Sequence, residues 1–377
     1  MQRYLETAVQ ADLGRKMVFL SGPRQVGKTT LARSLMAAWP RAQYLNWDVP
    51  NDRRILLEQT WSPRAGLVVL DEIHKLRNWK AYLKGVYDGR SEGQAILVTG
   101  SARLDTFRQS GESLAGRHYA LRLHPFSVRE WCDATGTAPD KALDRLMERG
   151  GFPEPLLAET PAEADRWRSQ YLDGLVREDI LEFSRVHELR AMRVFVDMLR
   201  ERVGSPLSLA SIARDLQISP TTLARYLDIL EALYVVFAVR PYSRNIARAL
   251  LKEPKVYFFD TALVSGSEGA CFENACAAML LKHVHYLQDV EGRRLTLSYV
   301  RDKEGREVDF VVCEKDEPIG FAECKLGDAS VTPYLAALAE RFPATSAVQL
   351  VRDLRQPEQR GRIAIEPAAR WLAALAA

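Results

Sequence analysis

Apolar positions at the start of the chain fall on a helical period. Tyr4, Leu5, Ala8, Val9 and Leu13 predict a helix within residues 1–15. The period then changes. Short apolar runs at 17–20 (MVFL), 43–47 (QYLNW), 67–70 (LVVL) and 95–99 (AILVT) are separated by stretches long enough for crossover helices, the pattern of an α/β layer on a parallel sheet. From 127 to 203 the periodicity is helical again: SVREWCDA, DKALDRLMERGG and EADRWRSQYLDGLVREDILEFSRV, broken at 150–155 by GGFPEP. Within 207–242, Leu209, Ile212, Ala213 and Leu216 predict one helix. Ser219 caps and Pro220 opens a second, with Leu223, Tyr226, Leu227 and Leu230 on its apolar face. The strand-like YVVFAVRPY after it predicts the wing of a winged helix-turn-helix. Further on, LTLSYVRD, GREVDFVVC, PIGFAECKL, a helix and TSAVQLVR predict a second sheet, and the Ala-rich end after Pro367 a short helix. There is no internal repeat.

With 377 residues, 47% hydrophobic and 27% charged, the chain buries a large core, divides into two to three domains and is not disordered. A formal net charge of +3 says little about partners, since only clustered cations make a useful field. Cys132, Cys271, Cys276, Cys313 and Cys324 form no CxxC and have no His at ligand spacing, so reduced thiols in the cytoplasm are expected and a structural zinc is not. The charged, amphipathic N-terminus is unlike a signal peptide. No apolar run approaches the roughly 20 residues that span a bilayer, so no membrane partner is expected.

The chemistry concentrates first at 22–30, GPRQVGKTT, directly after an apolar run. Gly22, Gly27, Lys28 and Thr29 match the P-loop spacing. The loop backbone of Gly22, Pro23, Arg24, Gln25, Val26, Gly27, Lys28, Thr29 and Thr30 wraps a phosphate, with N–H donors at every position but Pro23, while Lys28 neutralises its oxygens and the Thr29 hydroxyl ligates magnesium. A helix over 30–38 aims its positive end at the same anion. ATP and Mg²⁺ are the expected cofactors. At 67–72 an apolar run delivers Asp71 and Glu72 at its end, Asp71 to hold the metal through water and Glu72 to orient and polarise the attacking water. The next run ends in Thr99, Gly100 and Ser101. Ser101 is the favoured sensor of the γ-phosphate, against the alternative that Thr99 and Ser101 satisfy a turn and cap a helix near 102. Arg117, in a loop before a strand, is placed to act as an arginine finger on a neighbouring subunit. His74, His118 and His124 are expected to pack rather than to ligate. Arg177 and Asp179 are assigned to structure.

GPRQVGKTTL (22–31), LDEIHKLRNW (70–79), LVTGSA (97–102), SLAGR (113–117), LHPFSVREW (123–131), GGFPEP (150–155), YFFDTAL (257–263), FEN (272–274), EVDFVV (307–312) and AECK (322–325) follow one another as in a known family. The chain resembles the AAA-type ATPases of bacteria and archaea that carry a C-terminal domain of restriction-endonuclease-like fold. The resemblance covers nearly the full chain. It implies ATP binding and hydrolysis with Lys28, Thr29, Asp71 and Glu72 at matching positions. The expected organisation is a P-loop AAA-type core at 1–125, a helical lid at 126–204, a winged helix-turn-helix at 205–250 and an α/β restriction-endonuclease-like domain at 251–377.

In that last region Asp309 on one strand, with Glu323 and Lys325 on the next, form the D…ExK arrangement of PD-(D/E)xK nucleases. Glu323 and Lys325 alternate past Cys324 and share a face. Asp309 and Glu323 are candidate metal ligands, Lys325 positions the nucleophile or phosphate, and Glu273, in an upstream helix, is the candidate third carboxylate. Thr221, Thr222 and Arg225, beside Asp228 and Glu231, give the helix-turn-helix a thin basic surface. These features lead to the expectation of a cytoplasmic, Mg-dependent ATPase acting on DNA, coupled to an endonuclease-like domain and working as a homo-oligomer. A switch that binds a protein or a DNA structure without cutting is the alternative. A P-loop kinase is disfavoured, since Glu72 beside Asp71 suits water activation.

Overall fold

In the computed structural model, which describes residues 1–100, 114–175, 188–243 and 253–377, the run MVFLS becomes β1 (Met17–Ser21), buried at every position. Ser101, Arg177 and Asp179 lie outside the described residues. Helix α1 (Glu6–Leu13) precedes β1 and buries Val9 and Leu13. The other strands of the first sheet are β2 (Gln43–Asn46), β3 (Leu67–Asp71), β4 (Ala95–Thr99) and β5 (His118–Arg122). Helices α2 (Lys28–Met36), α3 (Pro50–Glu58) and α4 (Trp79–Asp88) lie between them.

The strand order is β2-β3-β4-β1-β5, with every pairing parallel. The three inner strands are buried on both faces, which is why they read as unbroken apolar runs, whereas β2 and β5 at the edges are half-exposed. Val18, Leu20, Val69, Leu70, Leu97 and Val98 are fully buried. Each contributes roughly 1.5–3 kcal/mol of hydrophobic stabilisation. Because all five strands run the same way, Ser21, Asp71 and Thr99 end at one edge, and β4 sits between the P-loop strand and the carboxylate strand.

The chain divides into two compact units, Met1–His124 and Pro125–Ala377, apart from Ala232–Tyr234, which groups with the first unit. The second unit begins with α5 (Val128–Thr135), α6 (Pro139–Arg149), α7 (Pro153–Leu157), α8 (Pro161–Gly174) and α9 (Glu188–Arg200). Thr160 and Glu163 close a capping box at the start of α8. The GGFPEP break has a tertiary cause. Gly150 has φ +75°, and a Cβ there would fall 1.7 Å from Oδ1 of the buried Asp260.

Helices α10 (Leu209–Asp215) and α11 (Pro220–Ala232) follow, and Ser219 Oγ accepts the Thr222 N–H at 3.0 Å, the cap that the Ser-Pro pair predicts. Strands β6 (Val236–Pro241) and β7 (Lys255–Phe258) pair antiparallel, and β6 also pairs with β8 (Leu295–Arg301), so both continue one larger sheet. The 24-residue α12 (Glu268–Glu291) precedes β8. Then come β9 (Glu307–Glu314), β10 (Glu317–Lys325), α13 (Pro333–Arg341), β11 (Ser346–Val351), β12 (Glu358–Arg360), β13 (Ile363–Pro367) and α14 (Ala368–Ala373).

The eight-stranded order is β12-β13-β11-β10-β9-β8-β6-β7. Val308, Val311, Phe321, Leu335, Leu338 and Ile363 form a core beneath it. Alternation along β9 buries Val308 and Phe310 and turns Glu307 and Asp309 to the other face. No helix among the described residues is long and apolar enough to cross a membrane. All five cysteines are free thiols.

Candidate active site: the P-loop and a second carboxylate cluster

Helix α2 starts at Lys28, two residues earlier than its apolar period suggests, because Gly27 at φ +99° turns the chain directly into it. Lys28 and Thr29 therefore stand in the first helical turn. Gly22 is required by a close approach: a Cβ there would lie 2.3 Å from the Leu123 carbonyl oxygen. The buried Lys28 ammonium donates to the carbonyls of Gly22 at 2.9 Å and Pro23 at 2.5 Å, so it already lies within the cradle of the loop. Val26 is fully buried and Thr30 exposed, so Val26 can serve a phosphate only through its backbone.

Asp71 is the hub of the site. Thr29 Oγ1 donates to its Oδ2 at 3.2 Å, Thr99 Oγ1 to its Oδ1 at 2.6 Å, and the Tyr44 hydroxyl also to Oδ2. Burial, then the bond to Asp71, pushes Tyr44 up to about 12, which keeps it a donor. A hydroxyl and a carboxylate converging from two elements are hard oxygen donors of the kind magnesium takes, so the residues fit the expected ion. Glu72 follows in a left-handed conformation, φ +59°, sparsely populated for a side chain of its size. Its carboxylate lies 3.3 Å from Lys75 Nζ and 3.7 Å from His74 Nε2. Burial raises the Glu72 pKa, the Asp71 charge adds to this, and Lys75 and Lys28 oppose it.

Three contributors escape a linear reading. Thr99 is the last residue of β4, and it reaches Asp71. Tyr44 comes from the neighbouring strand β2. Arg3, ahead of α1, donates to the carbonyls of Val26 and His124, each at 2.6 Å, and so braces the tip of the P-loop. Strand order and chain reversal bring these together, and no local pattern announces them. Arg117 is placed differently. It precedes His118, which pairs with Met17 at the start of β1, so it stands at the sheet edge opposite the P-loop, about 15 Å away along the strand. There its guanidinium grips Asp88 through two bonds of 2.9 and 3.1 Å. His118 stacks on Phe19 with ring centroids 4.4 Å apart.

In the second unit, β7, α12, β9 and β10 bring another set of charges together. The buried Lys255 ammonium lies 2.5 Å from Glu307, 3.1 Å from Glu273 and 3.5 Å from Asp309. Tyr257 OH donates to Glu273 Oε1 at 2.6 Å, and the Cys324 N–H to Asp309 Oδ2 at 2.9 Å. Glu323 pairs instead with Lys325 at 2.9 Å. Burial, then the Asp309 charge, raises both Glu273 and Glu323 to about 7. Burial pulls Lys255 down, but Glu273, Asp309 and Glu307 outweigh it and hold it above the ordinary lysine value.

The FEN and YFFDTAL stretches take their physical meaning here. Phe272 enters the core, Glu273 meets Lys255, and the fully buried Asn274 amide bonds both the N–H and the carbonyl of Phe258. Glu307, Lys255 and Tyr257 were not singled out by the sequence pattern. EVDF places Glu307 on the same strand face as Asp309, a signal that was available.

Residues 14–132 match the family described as AAA domain. The first unit is an AAA-type nucleotide domain. Residues 140–269 and 268–368 match two domains of unknown function, DUF8612 and DUF4143. The uncharacterized protein Rv2008c of Mycobacterium tuberculosis is 31% identical over 362 residues, spanning 89% of this chain and 79% of that one. The chain belongs to that protein's family. A more distant relative, the uncharacterized protein MJ1544 of Methanocaldococcus jannaschii, is 24% identical over 264 residues, 64% of this chain and 57% of its own. Among solved structures, a point variant of RuvB from Thermotoga maritima aligns over 62% of this chain and 85% of its own at 18% identity. The TM-score of that alignment is 0.28.

Proposed function

We propose that this AAA-type ATPase is magnesium-dependent, acts on DNA, and uses ATP turnover to change the hold of its second unit on that DNA. The observation that carries the catalytic part is the convergence on Asp71. The Thr29 hydroxyl lies 3.2 Å from one carboxylate oxygen and Thr99 2.6 Å from the other, beside a lysine already inside the loop. Lys28 exchanges its bonds to Gly22 and Pro23 for phosphate oxygens. Thr29 and Asp71 hold the magnesium ion, which when bound neutralises charge on the phosphates. Glu72 accepts the proton of the attacking water, and the Lys75 ammonium beside it favours the ionised form that this role needs. Thr99 orients Asp71 and is the sensor on this reading. If the chain assembles, Arg117 leaves Asp88 and meets the nucleotide of a neighbour, since its own P-loop is at the far edge of the sheet.

DNA contact is assigned to α11, where Thr221, Thr222 and Arg225 stand at the start of the second helix of a helix-turn-helix. The stretch 234–242, which includes β6, is read as its wing and the β8–β11 sheet as the endonuclease-like fold, supported by Asp309 on the strand paired with that of Glu323 and Lys325. Anisotropy of a labelled DNA duplex with the full chain tests the coupling. The affinity in a non-hydrolysable ATP analogue is expected to differ from that in ADP by about fivefold or more. Equal affinities in both states would remove the proposed switch.

A further inference from the structure

Metal-dependent nucleases hold a divalent cation between carboxylates of the kind found on β9, β10 and α12. Whether this cluster suits one is decided by what fills its centre. A cation already does. Lys255 is 1% exposed, and its ammonium is within 3.5 Å of Glu273, Glu307 and Asp309. The second oxygens of two of these carboxylates are also engaged: Asp309 Oδ2 accepts the Cys324 N–H, and Glu307 Oε2 lies 3.4 Å from Arg301. Glu323 is paired with Lys325 while lying close enough to Asp309 to feel its charge. Among the described residues, no group of three His, Cys, Asp or Glu side chains is arranged to hold a metal ion. Among the described residues, one fully buried oxygen of the cluster is left without a partner. Glu323 Oε2 is buried without a hydrogen-bond partner. A single oxygen makes no cage for a cation that takes about six ligands.

We propose that Lys255 takes the place of the divalent cation, so that this cluster is a metal-free centre and the second unit binds DNA without cutting it. The ammonium ties β7, α12 and β9 to one another as a metal would, but it brings no water to activate and no open coordination position. Removing it alone would strand three carboxylates against one another, and removing one carboxylate would leave the other two still paired with the lysine. The arrangement rests on the endonuclease-like reading of the second unit and is independent of ATP turnover in the first.

Mn²⁺ binding to the full, nucleotide-free chain, followed by electron paramagnetic resonance up to millimolar metal, tests it. The wild type and Asp309→Asn are expected to give the same isotherm. Lys255→Met, which keeps length and loses charge, is expected to gain one Mn²⁺ site. Adding Asp309→Asn to it should weaken that site at least about tenfold. A wild-type site that Asp309→Asn abolishes would overturn the proposal, and that comparison stands even if Lys255→Met does not fold. Phosphate release measured on the same samples keeps the two units separate. Failure of the ATPase reading appears as absent turnover, whereas failure of this one leaves turnover unchanged.

Discussion

Lys28→Ala is expected to lower ATP turnover by about 10²- to 10³-fold, the loss typical of removing one preorganised charge donor from a reacting centre. The fold should survive. The Lys28 ammonium is bonded to two carbonyls of its own loop. Apolar strands that the mutation leaves untouched carry the stability of the first sheet. Circular dichroism and a melting curve close to the wild type, together with lost phosphate release, are the expected pair of results. Normal turnover in this variant would place the chemistry elsewhere.

Glu72→Gln should have an effect of similar size and a different character. The amide cannot take the proton of the attacking water, so turnover falls by about 10²- to 10⁴-fold, while Lys28, Thr29 and Asp71 still bind nucleotide. Equilibrium binding of a fluorescent ATP analogue separates the two variants: retained in Glu72→Gln, weakened in Lys28→Ala. The pH dependence follows from the same residue. Burial raises the Glu72 pKa, and the base works only when ionised, so turnover is lost as pH falls through a value above the ordinary glutamate range. Lys75 opposes that rise from 3.3 Å. Lys75→Met should therefore move the acidic limb of the rate profile to higher pH. A profile unchanged by Lys75→Met would show that Glu72 is not the titrating base.

The parts of this protein that could be read along the chain are those whose meaning is local. GPRQVGKTT specifies a loop and the start of a helix by spacing alone, and LVVLDE specifies a buried strand with acids at its end. The Ser219-Pro220 cap was legible for the same reason. What escaped depends on which strands become neighbours. Thr99 and Tyr44 reach Asp71 only because β4 and β2 flank β3, and neither adjacency follows from chain order. Arg3 reaches Val26 and His124 across 23 and 121 residues. Lys255 reads as an ordinary strand residue until β7, α12 and β9 fold around it. Arg117 illustrates the reverse. Its loop position suggested a finger, while the parallel register of β5 with β1 sets it at the edge away from its own P-loop.

The two units carry charge in opposite ways. At the P-loop, oxygen donors from Thr29 and Asp71 stand ready for an ion that arrives with the nucleotide. In the second cluster, Lys255 supplies the positive charge permanently. On the proposed reading, the first unit carries the energy-yielding step, and the second holds DNA with a strength that nucleotide state changes.

Steady-state phosphate release by the unmodified chain, with and without duplex DNA, tests this account most directly. Magnesium-dependent release that rises when DNA is added is the predicted result. No release under any condition, or release indifferent to DNA, would contradict it.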